Sequence, residues 1–237
     1  MDTAGSLAIS GPTVFFTGAG ISVGAGLPTY RGTGGLYEGT NRQPPHARDL
    51  SPDRLAELWA RFGERVTAAR EVEPSRAHRH IAALEGRHPH SISVVTQNVD
   101  GLHTAAGSSQ VIELHGSLRS MRCMPLGHGC AVEQASWVAG VPACPTCGAP
   151  CRPNVVLFGE TLPQHAWAQA KEAIAGAETV IAVGTSAAVY PAALLIDDGA
   201  VTGRRLLWIN PETEPPSAEW TWLMGDADTQ VARLQPA

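Results

Sequence analysis

Five short apolar runs punctuate the chain, and each stops abruptly in polar or glycine residues. Thr13–Thr17 runs into Gly18-Ala19-Gly20-Ile21-Ser22, and Ile92–Thr96 into Gln97-Asn98-Val99-Asp100-Gly101. Val111–Leu114 ends in His115-Gly116-Ser117, Thr179–Val183 in Gly184-Thr185-Ser186, and Arg205–Ile209 in Asn210-Pro211-Glu212. Near-continuous runs of this length read as strands buried on both faces. Helical spacing separates them. Ser51-Pro52-Asp53 is a helix start, followed by Leu55, Leu58, Trp59, Phe62 and Val66 at core spacing. Glu73-Pro74 breaks that pattern, and Ser75-Arg76-Ala77-His78 opens a second helix reaching Leu84. Ala166–Ala177 and Ala192–Asp197 suggest two more. Strands alternating with helices predict an α/β fold, a Rossmann-like parallel sheet with helices on both faces. In such sheets ligands bind at the carboxyl ends of the strands, where all these polar clusters fall.

The glycines refine that expectation. Without Cβ atoms at Gly18 and Gly20 the backbone can approach a bulky anion, and the amides of the helix start, with Ser22, can donate to a pyrophosphate. The third glycine of the usual dinucleotide fingerprint is missing, so this stretch alone carries little weight. Gly24 to Tyr37 holds too many glycines for a helix or strand interior and reads as a long loop over the first strand's end. Tyr30, Arg31 and Tyr37 make it a candidate lid. His78 and His80 lack an obvious metal partner and are expected in buried or capping roles.

With 237 residues, 43% of them hydrophobic, the chain can bury a sizeable core. A net charge of -5 argues against a nucleic-acid partner recognised by bulk electrostatics. No run of 18 apolar residues predicts a membrane span, and the first residues do not resemble a secretion signal. Lysine occurs once, at Lys171, a usage typical of GC-rich bacterial genomes. All five cysteines lie between 123 and 151, which reads as metal binding in a reducing, cytoplasmic setting rather than as disulfides. Cys123 and Cys130, then Cys144 and Cys147, resemble a structural zinc ribbon. The second pair is a C-x-x-C. The first is stretched, so His128 is an alternative to Cys130, and Cys151 is a bystander. Four protein ligands would close the site to water, making the metal structural.

These motifs together resemble the sirtuins, NAD-dependent protein-lysine deacylases. The resemblance rests on Gly18-Ala19-Gly20-Ile21-Ser22 with Gly26-Leu27-Pro28-Thr29-Tyr30-Arg31, then Thr96 to His103 and Leu114-His115-Gly116. The cysteine module, Arg152 to Glu160, Gly184-Thr185-Ser186 and Ile209-Asn210 follow in the family's order. Ala25 stands where the family commonly has serine, and Tyr30 where it usually has phenylalanine. A subgroup acting on acidic acyl groups carries Tyr-x-x-Arg before the Pro-x-x-Ala-His segment. An ungapped count back from Pro74 places Ala60 and Gly63 there, with Phe62 and Arg65 nearby, which argues against succinyl-type substrates.

The resemblance implies that NAD+ is a co-substrate and acyl-lysine proteins or peptides the partners. The acyl oxygen would attack the ribose carbon bearing nicotinamide, and His115 would then deprotonate a ribose hydroxyl, leading to free lysine and 2′-O-acyl-ADP-ribose. Asn98 and Asp100 would join His115 in the catalytic pocket, with Gln97 on the ribose. Gly18, Ala19, Gly20, Ser22, Tyr30, Arg31, Gly184, Thr185 and Ser186 would hold the nicotinamide, ribose and phosphates. Asn210, Pro211 and Glu212, with Asp226 and Ala227, would hold the adenosine. Val156, Leu157, Phe158, Gly159 and Glu160, opposite Val189, would pair with the substrate backbone by strand addition. ADP-ribosyl transfer or NAD hydrolysis on the same fold is the alternative activity. The expected organisation is one catalytic domain over 1–237. Its large part comprises 8–35, 75–118 and 152–237; a helical insertion, 36–74, and a zinc-binding one, 119–151, form a small module of a monomeric protein.

Overall fold

The computed structural model describes residues 5–30, 32, 34–40, 43–88, 91–131 and 140–237. The strands are β1 (Leu7–Ile9), β2 (Thr13–Thr17), β3 (Ile92–Thr96), β4 (Val111–Glu113), β5 (Gly116–Cys123), β6 (Gly129–Ala131), β7 (Cys151–Val155), β8 (Thr179–Val183), β9 (Arg205–Asn210), β10 (Thr221–Met224) and β11 (Leu234–Pro236). The α-helices are α1 (Leu55–Glu71), α2 (Arg76–Arg87), α3 (Leu102–Ala105), α4 (Gln164–Ala175), α5 (Asp198–Val201) and α6 (Ala227–Val231).

Six strands form one parallel sheet in the order β10-β9-β8-β2-β3-β4. Every residue of β2 and β8 is buried, and the alternation of side chains shows why both faces need cover. Val14 and Phe16 of β2, with Val180 and Ala182 of β8, join a core with Ala170 and Ile174 of α4. Phe15, Ile181 and Val183 point the other way, into a core with Ala77, Ile81 and Leu84 of α2 and Val231 of α6. The expected parallel sheet with helices on both faces is what the chain forms. Strand order reverses at β2, which has β3 on one side and β8 on the other, so a crevice opens at the carboxyl ends of β2 and β8.

Local chemistry accounts for the helices. Ser75 accepts from the His78 amide as the N-cap of α2, and Leu58, Trp59, Phe62, Val66 and Ala69 bury one stripe of α1. The segments after Gly18 and Pro191 form 3₁₀ helices, Ala19–Ala25 and Ala192–Ile196, rather than α-helices.

A second sheet, β6-β5-β7, is antiparallel. Its core combines Leu118, Met121, Val155 and four buried cysteines with the apolar stripe of α1. The Trp59 indole of α1 donates to the Cys151 carbonyl at 2.8 Å. Paired strands β1 and β11 bring both ends of the described chain together.

Candidate active site

The tips of β2 and β8 are stitched directly. Gly18 donates to the Val183 carbonyl at 3.0 Å and Gly20 to that of Gly184 at 2.8 Å. A Cβ on Gly20 would fall 2.6 Å from the Gly184 Cα, and one on Gly184, where φ is +59°, 2.5 Å from the Ile21 nitrogen. These glycines therefore let two loops touch, a nearer constraint than room for an anion.

From this seam a polar chain crosses to β3. The Asn98 amide donates to the Gly18 carbonyl at 3.1 Å and to Ser22 Oγ at 3.2 Å, and Ser22 donates to Asp100 Oδ2 at 2.8 Å. Asp100 Oδ1 accepts from the Leu102 amide. Gln97 Nε2 reaches Thr185 Oγ1 at 2.9 Å, so the tips of β3 and β8 are linked over β2.

His115, just past β4, lies with Nδ1 2.8 Å from the Gln97 carbonyl. A carbonyl only accepts, so Nδ1 carries the hydrogen and Nε2 keeps its lone pair. Burial pushes the pKa of His115 below 6.5, and the Gln97 carbonyl opposes part of that shift. The imidazole is thus neutral at physiological pH, with a basic nitrogen.

A layer not assigned from sequence lies behind these groups. Thr17 Oγ1 donates to Thr96 Oγ1 at 2.8 Å and lies 3.0 Å from His103 Nε2, while Thr96 Oγ1 accepts from the backbone N–H of Asn98. His103 meets His78 edge-on at 4.6 Å between ring centroids. His78 is buried, as expected, and 2.9 Å from Ser75 Oγ, whereas His80 is half-buried with Nε2 2.8 Å from the Leu234 carbonyl, neither buried nor capping. Threonines ending apolar strands give no pattern that separates a polar relay from ordinary β-propensity.

Residues expected at the adenosine end stand at the tips of β9 and β10. Asn210 Nδ2 donates to the Thr185 carbonyl at 2.9 Å, and its Oδ1 accepts from the Glu212 and Thr213 amides at 3.1 and 2.9 Å. Asp226 caps α6 through the Thr229 amide, and Ala227 is buried in the core. Ser186 is exposed and Thr185 buried. Tyr30 lies 5.0 Å from Tyr37 and 6.2 Å from Phe158 between ring centroids, its plane 30° from the latter's. Arg31 lies outside the described residues.

The run 156–160 differs from a plain open strand. Phe158 uses both backbone groups on the segment before α1, donating to the Pro45 carbonyl at 3.2 Å and accepting from the Ala47 amide at 2.8 Å. Val156 donates to the His115 carbonyl, and the Leu157 amide is held by Glu160 Oε2. Among the described residues, the backbone N–H and C=O of Gly159 take no partner, and His46 packs against its α-carbon, closing off any side chain there. Glu160 is locked on buried Arg152 by two contacts of 2.5 and 2.9 Å, so its side chain braces the run from behind. Val189 gives its carbonyl to the Ala193 amide.

Ala60 and Gly63 line a groove of about 500 Å³ along α1 with Trp59, Glu64 and Thr67. The α1 residue at the candidate lid is Arg65, which donates to Tyr37 Oη at 3.0 Å and lies over the Tyr37 and Phe62 rings.

The cysteines and His128 gather at one end of the antiparallel sheet. The ligand atoms of Cys123, His128 and Cys144 lie within 4.8 Å of one another, as do those of Cys130, Cys144 and Cys151. Cys147 Sγ is 3.5 Å from Cys123 Sγ. Soft sulfur donors with one imidazole, gathered at the end of this sheet, fit zinc. Cys151, expected as a bystander, stands inside the cluster.

Comparison with known proteins places the crevice in context. The Sir2 family model matches residues 18–191. An NAD-dependent protein deacylase of Thermus thermophilus is 40% identical over 229 residues, covering 93% of this chain and 88% of that protein. A mutant Sir2 homologue in complex with ADP-ribose superposes with a TM-score of 0.83 at 34% identity, covering 93% of this chain and 90% of the other. Sir2 with a p53 peptide and NAD+ superposes at 0.77, with 33% identity and coverage of 94% and 91%.

Proposed function

The chain belongs to the Sir2 family, and from that premise we infer that it is an NAD-dependent protein-lysine deacylase whose centre is the crevice around His115. The observation that carries this is the tautomer of His115: Nδ1 is committed to Gln97, and a neutral Nε2 remains to act as a base.

NAD+, when bound, supplies an activated ribose carbon from which nicotinamide departs and to which the acyl oxygen passes. His115 Nε2 takes the proton of a ribose hydroxyl, and the Gln97 carbonyl steadies the imidazolium through Nδ1–H. Asn98, Ser22 and Asp100, prearranged by their mutual bonds, orient the nicotinamide and its ribose without moving protons. Gly18, Ala19, Gly20 and Gly184 to Ser186 form the phosphate-side floor. Asn210 to Glu212, with Asp226 and Ala227, shape the adenosine wall. Tyr30 closes over the nicotinamide, with Arg31 beside it in sequence. Gly159, with Phe158 on one side and Val189 across the groove, offers main-chain partners to an acyl-lysine peptide.

The thiol cluster holds a structural zinc that ties the antiparallel sheet together, with Cys123, Cys144 and Cys147 as ligands and Cys130 or His128 completing the set. The division into a large part and a module of 36–74 and 119–151 is supported by the separate core that α1 shares with this sheet. Among the described residues no helix is long and apolar enough to cross a membrane. A bacterial, cytoplasmic, monomeric enzyme with no nucleic-acid partner is the reading we adopt, supported by the clustered thiols and the net charge of -5.

The test is nicotinamide release from NAD+ with acetyl-, propionyl-, longer-chain and succinyl-lysine peptides. Release that requires an acyl peptide, with continued turnover lost in His115→Ala, is expected. Release independent of peptide, or label from NAD+ on protein, would instead favour hydrolysis or ADP-ribosyl transfer.

A further inference from the structure

The two turns that present the metal donors repeat one another. Cys123-Met124-Pro125-Leu126-Gly127-His128-Gly129-Cys130 and Cys144-Pro145-Thr146-Cys147-Gly148-Ala149-Pro150-Cys151 both carry cysteine first and eighth and glycine fifth. Their backbones match bond for bond. Cys123 donates to the His128 carbonyl at 3.0 Å, as Cys144 does to that of Ala149 at 2.7 Å. Gly127 donates to the Cys123 carbonyl at 2.9 Å, as Gly148 does to that of Cys144 at 2.8 Å. Both glycines are left-handed, at φ +70° and +72°. The eighth residues match too: Cys130 Sγ is 3.9 Å from the His128 carbonyl, and Cys151 Sγ is 4.0 Å from that of Ala149. Both thiols are buried in the core shared with α1.

Of the five positions at which the turns differ, two exchange a metal-ligating residue. The fourth residue is Cys147 in the second turn but Leu126 in the first, where it is 60% exposed. The sixth is Ala149 in the second turn and His128 in the first. His128 Nε2 lies 3.3 Å from Cys144 Sγ, on the other turn. Tetrahedral zinc with Zn–S near 2.3 Å and Zn–N near 2.0–2.1 Å requires S···N edges of about 3.5 Å and S···S edges of about 3.8 Å. The Cys144–His128 edge at 3.3 Å and the Cys123–Cys147 edge at 3.5 Å suit that geometry. Cys130 Sγ, 3.9 Å from Cys144 Sγ, suits it as well, so distance alone does not choose. The repeat does, because Cys130 is the counterpart of Cys151, and both turn back against their own turn.

We infer that zinc is held by three thiolates and one imidazole, Cys123, Cys144, Cys147 and His128, the imidazole standing in for the thiol missing at Leu126. Cys130 and Cys151 are paired packing thiols of the module core. This rests on the reading that the cluster binds zinc.

The test is cobalt substitution of the full chain, read by the thiolate-to-cobalt charge-transfer band. The unmodified protein should show one metal per chain and the band intensity of three thiolates. Cys130→Ser should keep both, with metal affinity within threefold of the parent in a chelator competition. His128→Ala should keep the three-thiolate band at saturating cobalt and bind on the order of a hundredfold more weakly. A four-thiolate band in the parent, or loss of one thiolate's intensity in Cys130→Ser, overturns the assignment while leaving a zinc site in place. A folded chain that takes up neither cobalt nor zinc overturns the zinc reading itself.

Discussion

His115 owes its chemistry to a single carbonyl. By taking the Nδ1 hydrogen, Gln97 leaves the other nitrogen basic, while burial lowers the pKa below 6.5. Burial disfavours the imidazolium, so the base stays neutral further into acid than a solvated histidine would. The acid limb of kcat/KM should therefore have its midpoint below pH 6.5, measurable with an acetyl-lysine peptide at saturating NAD+. The buried histidines behind it act on stability instead. Burial holds His78 at about 4, against opposing pulls from Asp100 and Asp228 and with a small push from Arg79. As pH falls from 6.5 to about 4 the unfolded chain takes up a proton that folded His78 refuses, so stability drops through that window and levels off below it. This single group removes about 3 kcal/mol at most. Thermal melts should show a steeper loss over that window for the parent than for His78→Gln. His115, Asn98 and Asp100 were legible because they sit in motifs that match the family's order, Thr96 to His103 and Leu114-His115-Gly116. The contacts of Thr17 with Thr96 and His103 stayed hidden, because threonine is ordinary at strand ends.

At the level of elements, the strand tips are coupled pairwise, and the substrate-facing run is braced from two sides. Phe158 is bonded to the segment at Pro45 and Ala47, and Glu160 to Arg152. Glu160→Gln leaves a buried guanidinium without its counter-charge. That should cost about 3 kcal/mol, seen as a fall in Tm of roughly 6–12 °C. An Arg152→Met, Glu160→Gln double variant should recover part of it. The candidate lid rests on α1: Arg65 holds Tyr37, whose ring lies beside that of Tyr30. Arg65→Ala should raise KM for NAD+ several-fold with Tm nearly unchanged, since Arg65 is not in the core. Strand and helix positions of the main sheet were legible because apolar runs and caps are local signals. The β6-β5-β7 sheet and the parallel pairing of β10 were not, since short half-polar strands acquire their register only from the strands they pair with. Ala60 and Gly63, reached by counting back from Pro74, line the groove along α1, while Arg65 reaches Tyr37.

Across the whole molecule, two sheets with separate cores meet where β5 leaves His115 and β7 runs on to Phe158. The antiparallel sheet has no apolar layer of its own besides α1, so metal removal should unfold it first. Chelation at neutral pH should lower Tm and cut acyl-peptide affinity more than NAD+ affinity, because Phe158 and Gly159 sit at the end of β7. The central claim, that the crevice at β2 and β8 transfers an acyl group to ADP-ribose with His115 as base, is tested most directly by mass balance. Adenine-labelled NAD+ and an acetyl-lysine peptide, analysed by mass spectrometry, should yield nicotinamide, free lysine peptide and labelled O-acetyl-ADP-ribose in equal amounts, whereas His115→Ala should yield neither free lysine peptide nor labelled O-acetyl-ADP-ribose. Labelled ADP-ribose without acetyl, or an unchanged product yield from His115→Ala, would contradict it.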